Sequence, residues 1–370
     1  MIKHLRRTSV SIAAMVALAA CGGNDRGATP GAMTQQQAAA PEGTLTLVGA
    51  GSTFDYPVFS RWFADYAKQH PVRVNYQSIG SGGGIRQFTQ GTVDFGASDA
   101  PLTPEEQAKV PGAMNLPVIL GSVGITYNLP SVRRPLKLTG DVLARIYLGE
   151  ITKWNDPALA ALNPGVSLPG RDILVVHRSD GSGTTYIFSD YLSAVSAVWK
   201  QKVGTGKSLS WPAGLGAKGN EGVTGQVKQT EGGVGYVEQA YAEENHLPMA
   251  QMKNAGGRFV APSVASTRVA AAGLAQQIQQ HPDFKLSIVN APGADAYPIA
   301  AWSYLVVHQQ MADCAKAKAL VDLFSWSLTE GDAAAEQLHY APLPENVQAQ
   351  VLEKLQGITC GPDRQPVGRR

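Results

Sequence analysis

Residues 44–62, TLTLVGAGSTFDYPVFSRW, carry the pattern on which the reading of this chain turns. TLTLVGAG is a short apolar strand that runs into glycines. From Thr53 to Gln69 the period changes, and Phe54, Val58, Trp62, Phe63 and Tyr66 fall on one face of a predicted helix. Strand, Gly/Ser turn and helix then recur. RVNYQSIG (73–80) is a second strand, followed by the turn SGGG and a short helix around Ile85 to Gln90. VDFGA (93–97) is a third, running into SDAPLTPEE, where Pro104, Glu105 and Glu106 mark a helix start.

Two longer apolar runs, PVILGSVGITYNL (117–129) and YPIAAWSYLVVH (297–308), bracket a self-contained region. That region has its own helix (TGDVLARIYLG, 139–149), its own strand (DILVVHR, 172–178) and a helix beyond DGSGTT. Long strands bracketing an inserted domain predict two α/β lobes joined by a double hinge. Lobe I is expected at 44–124 and 297–370, and lobe II at 125–296. A length of 370 residues accommodates two cores. No internal repeat is evident, which argues against solenoids and propellers.

The first 20 residues read as an address. Lys3, Arg6 and Arg7 precede an apolar run too short to span a bilayer, and Leu18, Ala19, Ala20 and Cys21 resemble a lipobox whose cysteine is acylated. An ordinary secretory signal is the alternative. Residues 21–43 are rich in Gly, Ala, Gln, Pro and Thr without apolar periodicity, as expected of a flexible, lipid-anchored linker. No later stretch is apolar enough to cross a membrane, and composition, at 44% apolar and 16% charged, is that of a soluble protein. Cleavage before Cys21 would remove three basic residues and no acid, moving the formal charge from +2 to about −1. With no basic run or aromatic-interleaved patch, nucleic acid is excluded as a partner, and any anion site must be local. Of three cysteines, acylation of Cys21 leaves Cys314 and Cys360, an even pair in an oxidising compartment, and predicts a disulfide between them.

Three of the strand-to-helix turns place small residues and hydroxyls where a helix begins, and unpaired N–H groups with partial positive charge make such turns anion sites. GAGSTF offers the Thr53 hydroxyl and the Phe54 N–H, IGSGGG offers Ser81, and RSDGSGTT offers Ser182, Gly183 and Thr184. One hydroxyl at a helix start is ordinarily an N-cap. Three such turns, each at the carboxyl end of a strand, point instead to a shared ligand. Arg178 adds a planar fork of donors suited to an oxyanion. Two readings of Asp180 stand side by side, a partner that orients Arg178 or a cap of its own turn. Alternation along the strand turns His177 away from Arg178 and leaves it no ligand role.

Asp99 is the oddity, because a carboxylate beside an anion site repels its ligand. It makes sense if the ligand carries a proton, as phosphate does near neutral pH and sulfate does not. A plain helix cap before Ala100 and Pro101 is the other reading.

GAGSTFDYPVFSRW, VNYQSIGSGGGIRQF, TVDFGASDAPL, IYLGEITKWND, RSDGSGTTYIF, VGTGKSLSWPAGLGAKGN and GGVGYVEQAYA resemble, in order and spacing, the PstS-type periplasmic phosphate-binding proteins. The resemblance runs from about Thr44 into the C-terminal region. It implies a type II periplasmic binding protein fold, with phosphate enclosed between the lobes for an ABC importer made of a permease and an ATPase. By motif it places the phosphate ligands at Thr53, Phe54, Ser81, Asp99, Arg178, Ser182, Gly183 and Thr184, with Asp180 paired to the arginine. Gly82 stands where many relatives have a second serine, and His177 where some have another arginine. The pairing of Cys314 with Cys360 is not carried over from the resemblance and rests on parity alone.

The expected protein is therefore a monomer of the cell envelope that carries inorganic phosphate, without enzymatic activity, cofactor or metal. Alternatives are a sensor or carrier of another oxyanion or a phosphate ester, and a hydrolase using Ser182. The hydrolase reading lacks the glycine two residues before the serine, where Asp180 stands. GTGKS lacks the first glycine of a P-loop, replaced by Gln201, and the seven histidines show no metal-ligand spacing.

Overall fold

The computed structural model describes residues 43–367, so the expected signal peptide, Cys21 and all but the last residue of the expected linker lie outside it. β1 (Leu45–Gly51), β2 (Val72–Ser78) and β3 (Phe95–Ser98) are parallel, with β1 in the middle. β4 (Ala113–Tyr127) is followed by the two-residue β5 (Lys137–Leu138), then β6 (Leu174–Arg178), β7 (Leu215–Ala217) and β8 (Gly233–Glu238). Next come β9 (Gln251–Lys253), β10 (Phe259–Val260) and β11 (Ala300–His308). The main sheet has the order β2-β1-β3-β11-β4-β8-β6-β7, and β10-β9-β5 form a small second sheet.

The two long apolar runs become β4 and β11, antiparallel neighbours at the centre of this sheet and buried along nearly their whole length. β4 pairs with β11 through Ala113–Ser122 and with β8 through Val123–Tyr127, so a single strand belongs to both halves of the sheet. Each half has an aromatic core. Phe59, Trp62, Phe63, Phe95 and Phe324 pack together on one side. Tyr147, Phe188, Trp199, Trp211 and Tyr236 pack on the other, with Phe188 stacked on Tyr236 at 4.2 Å. This is the two-lobed α/β architecture expected from the sequence.

Two helix boundaries differ from those read from periodicity. The first helix covers Tyr56–Tyr66 rather than Thr53–Gln69, because residues 53–55 form a bend held by side-chain contacts described below. The second helix, Ser81–Thr89, begins within the SGGG segment read as a turn. Glycine has poor helix propensity, and packing overrides it here. A Cβ on Gly84 would lie 2.4 Å from the Gly51 Cα, so only glycine lets the helix sit against β1.

After β11, the strands β12 (Gln310–Met311), β13 (Thr359–Cys360) and β14 (Gln365–Pro366) form a third small sheet. Cys314 opens the helix Cys314–Thr329 and is bonded to Cys360 of β13, tying that helix to the end of the described chain. The bridge closes a loop with a sequence separation of 46, for which chain entropy predicts a stabilisation of roughly 4 kcal/mol. The double variant Cys314→Ser/Cys360→Ser is expected to lose about that much in denaturant unfolding. Intact mass of the unreduced protein should show the two hydrogens missing.

Candidate functional site

The expected ligand residues converge from the carboxyl ends of parallel strands. Thr53 follows β1, Ser81 follows β2, Asp99 follows β3 and Arg178 ends β6. Ser182 caps the helix Gly183–Val195 by accepting from the Thr185 N–H at 3.0 Å. A further residue, which no motif singled out, joins them. Asn220, near the start of the helix Gly219–Gln229 beyond β7, is fully buried among them.

Counting hydrogens shows what these groups have left to offer. Thr53 Oγ1 accepts from Asn220 twice, from the backbone N–H at 3.2 Å and from Nδ2 at 2.7 Å. Thr184 Oγ1 accepts from Arg178 Nη1 at 3.3 Å and Asn220 Nδ2 at 3.1 Å. Ser81 Oγ accepts from the N–H groups of Asp99 at 3.3 Å and Gly183 at 3.1 Å. An hydroxyl oxygen has two lone pairs and one hydrogen. In all three residues the lone pairs are filled, so each hydroxyl can act only as a donor.

Arg178 is buried, with its side chain 1% exposed. Its Nε and Nη2 donate to the two Asp180 carboxylate oxygens at 2.8 and 2.5 Å. With Nη1 given to Thr184, about two of its five N–H donors remain. Asp180 thus orients the guanidinium, and it also accepts the Gly219 N–H at 3.1 Å. Burial pushes the Asp180 carboxyl up, but the hydrogen bonds and charge of Arg178 and the Gly219 N–H outweigh it. The group ends below its ordinary value.

Asp99 caps no helix. The helix Pro104–Lys109 is capped instead by Thr103, in a reciprocal box with Glu106. One Asp99 oxygen, Oδ1, accepts from Ser52 Oγ at 2.5 Å and Ser303 Oγ at 2.7 Å. The other, Oδ2, faces Gly183, where an added Cβ would lie 2.4 Å from it and 2.5 Å from Ser81 Oγ. Any side chain at 183 would therefore fill the site. Burial raises the Asp99 carboxyl above its ordinary value, opposed by Ser52, Ser303, the Arg178 charge and Ser81. The site is donor-rich and has this one carboxylate as acceptor.

Three tyrosines, the half-buried Tyr76 and the buried Tyr241 and Tyr340, set the backbone of the first turn. Tyr76 donates to the Ser52 carbonyl at 2.8 Å, Tyr241 to that of Thr53 at 2.6 Å and Tyr340 to that of Phe54 at 2.6 Å. Side-chain donors on these successive carbonyls fix the course of the segment ahead of the helix. Burial, then nearby carboxyl groups, pushes all three phenols above their ordinary range, so they remain donors. The Phe54 N–H donates to Ser52 Oγ at 2.9 Å, and its ring packs edge-on to Tyr340. His177 lies apart, stacked on Trp211 at 4.6 Å.

Direct bonds join the two sides of the site. The Gly82 N–H donates to the Gly181 carbonyl at 2.8 Å, and Lys207 Nζ lies 2.7 Å from Glu106 Oε2. Among the described residues, no group of His, Cys, Asp or Glu is arranged to hold a metal, and no helix is long and apolar enough to cross a membrane.

The two-lobed fold is that of a binding protein, and the model of the PBP superfamily domain matches residues 35–326. The chain is 47% identical over 309 residues to the phosphate-binding protein PstS of Xylella fastidiosa, covering 83% of this chain and 84% of that protein. It is 45% identical to PstS of Pasteurella multocida, covering 84% and 89%. The fold is similar to that of a high affinity periplasmic phosphate-binding protein solved with phosphate, at a TM-score of 0.64 and 22% identity over 83% of this chain and 93% of that one. The chain belongs to the PstS family of phosphate-binding proteins.

Asp180→Asn is expected to lower stability by about 3 kcal/mol at pH 7, because Arg178 is left buried without its counter-charge. The Asp180 pKa is depressed in the folded protein, so its contribution is present above the unfolded value of about 4 and is lost as pH falls through the folded value. The gap between variant and wild type should therefore close on acidification, as read by denaturant unfolding at pH 7 and pH 3.

Proposed function

We propose that this protein binds inorganic phosphate tightly between its lobes and delivers it to an ABC importer, without chemical turnover. The observation that carries the reading is the hydrogen count. Three hydroxyls restricted to donating, two spare guanidinium hydrogens and one carboxylate oxygen call for an oxyanion rich in lone pairs that still carries a hydrogen. Phosphate near neutral pH meets that description. Sulfate offers Asp99 no hydrogen and leaves two negative oxygens facing each other in a buried site. The names of the PstS relatives, which specify phosphate binding, agree.

In this reading lobe I (44–124 and 297–370) supplies Thr53, Phe54, Ser81 and Asp99. Lobe II (125–296) supplies Arg178, Ser182, Gly183 and Thr184, with Asp180 and Asn220 behind them; the Phe54 and Gly183 N–H groups would be shared between the ligand and their serine acceptors, Ser52 and Ser81. A ligand shifts an open-closed balance only through contacts it makes preferentially in the closed state, and a site split between lobes supplies them. β4, which pairs with β11 in one half of the sheet and β8 in the other, is where bending would occur. Ser182 Oγ gives one lone pair to capping its helix and keeps its hydrogen for a ligand. The permease and ATPase partners, a monomeric state, the lipid on Cys21 and a periplasmic location complete the proposal. They are supported by the family and by the first 21 residues.

Titration calorimetry tests it. Phosphate is expected to bind at least about a hundredfold more tightly than sulfate, since an unpaired buried carboxylate costs about 3 kcal/mol or more. Arg178→Ala should weaken phosphate by about a thousandfold or more. Asp99→Asn should mainly narrow the gap between the two anions; an unchanged gap would show that Asp99 does not read the hydrogen. No heat with phosphate would overturn the proposal.

A further inference from the structure

Behind Asp99 lies a second carboxyl group for which ligand binding has no direct use. Asp55 occupies the N-cap position of the helix Tyr56–Tyr66, where a carboxylate ordinarily accepts from the first turn, yet its side chain makes no cap bond. It turns inward instead and is fully buried. Its Oδ2 is 2.8 Å from Ser303 Oγ, the same oxygen that lies 2.7 Å from Asp99 Oδ1. Its Oδ1 has no hydrogen-bond partner among the described residues. Ser303 is placed there by a register shift between Ser303 and Tyr304 in the β4–β11 pairing, the kind of irregularity that re-aims a side chain.

Ser303 has one hydroxyl hydrogen and two carboxyl oxygens within reach, so it cannot satisfy both as a donor. The count closes only if one carboxyl supplies a hydrogen of its own. Asp99 is the less suitable holder. Its Oδ1 already accepts from Ser52, its main-chain N–H is given to Ser81 and the Arg178 charge favours its anion. The titratable groups acting on Asp55 are Asp99 after β3, Tyr76 on β2, Glu238 at the end of β8 and Tyr340, all acids. Burial first, then the Asp99 charge, raises the Asp55 carboxyl well above its ordinary range, against the opposing bond from Ser303.

We propose that Asp55 is a positioning residue that retains its proton and donates it to Ser303 Oγ, so that Ser303 must donate to Asp99 and keep it a charged acceptor. The chain runs Asp55 Oδ2–H to Ser303 Oγ–H to Asp99 Oδ1, leaving Asp99 Oδ2 to read the hydrogen of the bound oxyanion. This rests on the phosphate reading for its purpose, but the protonation of Asp55 stands apart from any ligand. An ionised Asp55 would compete with Asp99 for the Ser303 hydrogen and add negative charge behind the anion site.

The test uses the full chain without phosphate and then with it. A group whose pKa is raised on folding favours the fold fully below its unfolded pKa of about 4 and loses that contribution as pH rises through the folded value. Asp55→Asn, which copies the neutral carboxyl, should therefore melt above wild type at pH 8, with the advantage shrinking toward pH 4. It should bind phosphate within about threefold of wild type at pH 7. Ser303→Ala should weaken phosphate about tenfold or more and reduce its preference over sulfate. A melting difference of opposite sign or one independent of pH overturns the proposal, as does a tenfold loss of phosphate affinity in Asp55→Asn. As a readout that needs no Asp55 variant to fold, the infrared spectrum of wild type at pH 8 should contain a protonated-carboxyl band that shifts in Ser303→Ala. Its absence, or a band unmoved by that change, overturns the proposal as well. If wild type gives no heat with phosphate while the melting and infrared results hold, the phosphate reading fails and the protonated Asp55 survives.

Discussion

A hydroxyl group donates once and accepts twice, and the whole site depends on how that arithmetic is closed. Asn220 is central to it. Its amide nitrogen reaches Thr53 on one side and Thr184 on the other, and its carbonyl oxygen accepts the Glu238 N–H at 2.9 Å. One buried amide thus fills lone pairs of both threonines, leaving their hydrogens for a ligand. Arg178 is restricted in the same way by Asp180, which takes one edge of the guanidinium and leaves the other. The donor character of the site is built less from positive charge than from acceptors already occupied.

That economy explains why a chain with little net charge can offer an anion a closed site. The buried cation, Arg178, is matched by Asp180, and Asp99 adds a negative group where a ligand would sit. Much of the attraction must come from oriented dipoles, which hold their direction only if the backbone is held. The tyrosines on three consecutive carbonyls of residues 52–54 do this from β2, from the helix Gln239–Glu244 and from Tyr340 near the C-terminal end. A binding loop stiffened from three distant parts of the chain has little entropy left to lose when a ligand arrives.

Much of this was legible in the residues. The shift from strand to helical period after glycines marked the βα units, and two apolar runs of unusual length marked β4 and β11, because strands buried on both faces need apolar side chains throughout. Thr53, Ser81, Arg178, Gly183 and Thr184, which the fold brings together, stood out as candidates because strand ends rich in Gly and hydroxyls have a local signature. Asn220 sits in such a turn too, in GLGAKGN, and its amide beside glycines was the signal available. Ser303 and the tyrosines carried none, lying in segments that read as ordinary strand, helix or loop.

The sequence by itself determined the local events: where strands end, which turns expose N–H groups and which side chains are able to donate. Tertiary structure alone decided direction. Whether Asp99 caps a helix or faces Gly183, whether Asp55 caps or turns inward, and whether SGGG bends or coils depend on atoms more than 15 residues away in the chain for each. The physical reason is that helical and strand periods are set by neighbours along the chain. The hydrogen-bond partner of a buried polar group is whatever the packed fold brings within 3 Å, and a single sequence does not encode that pairing in any local pattern.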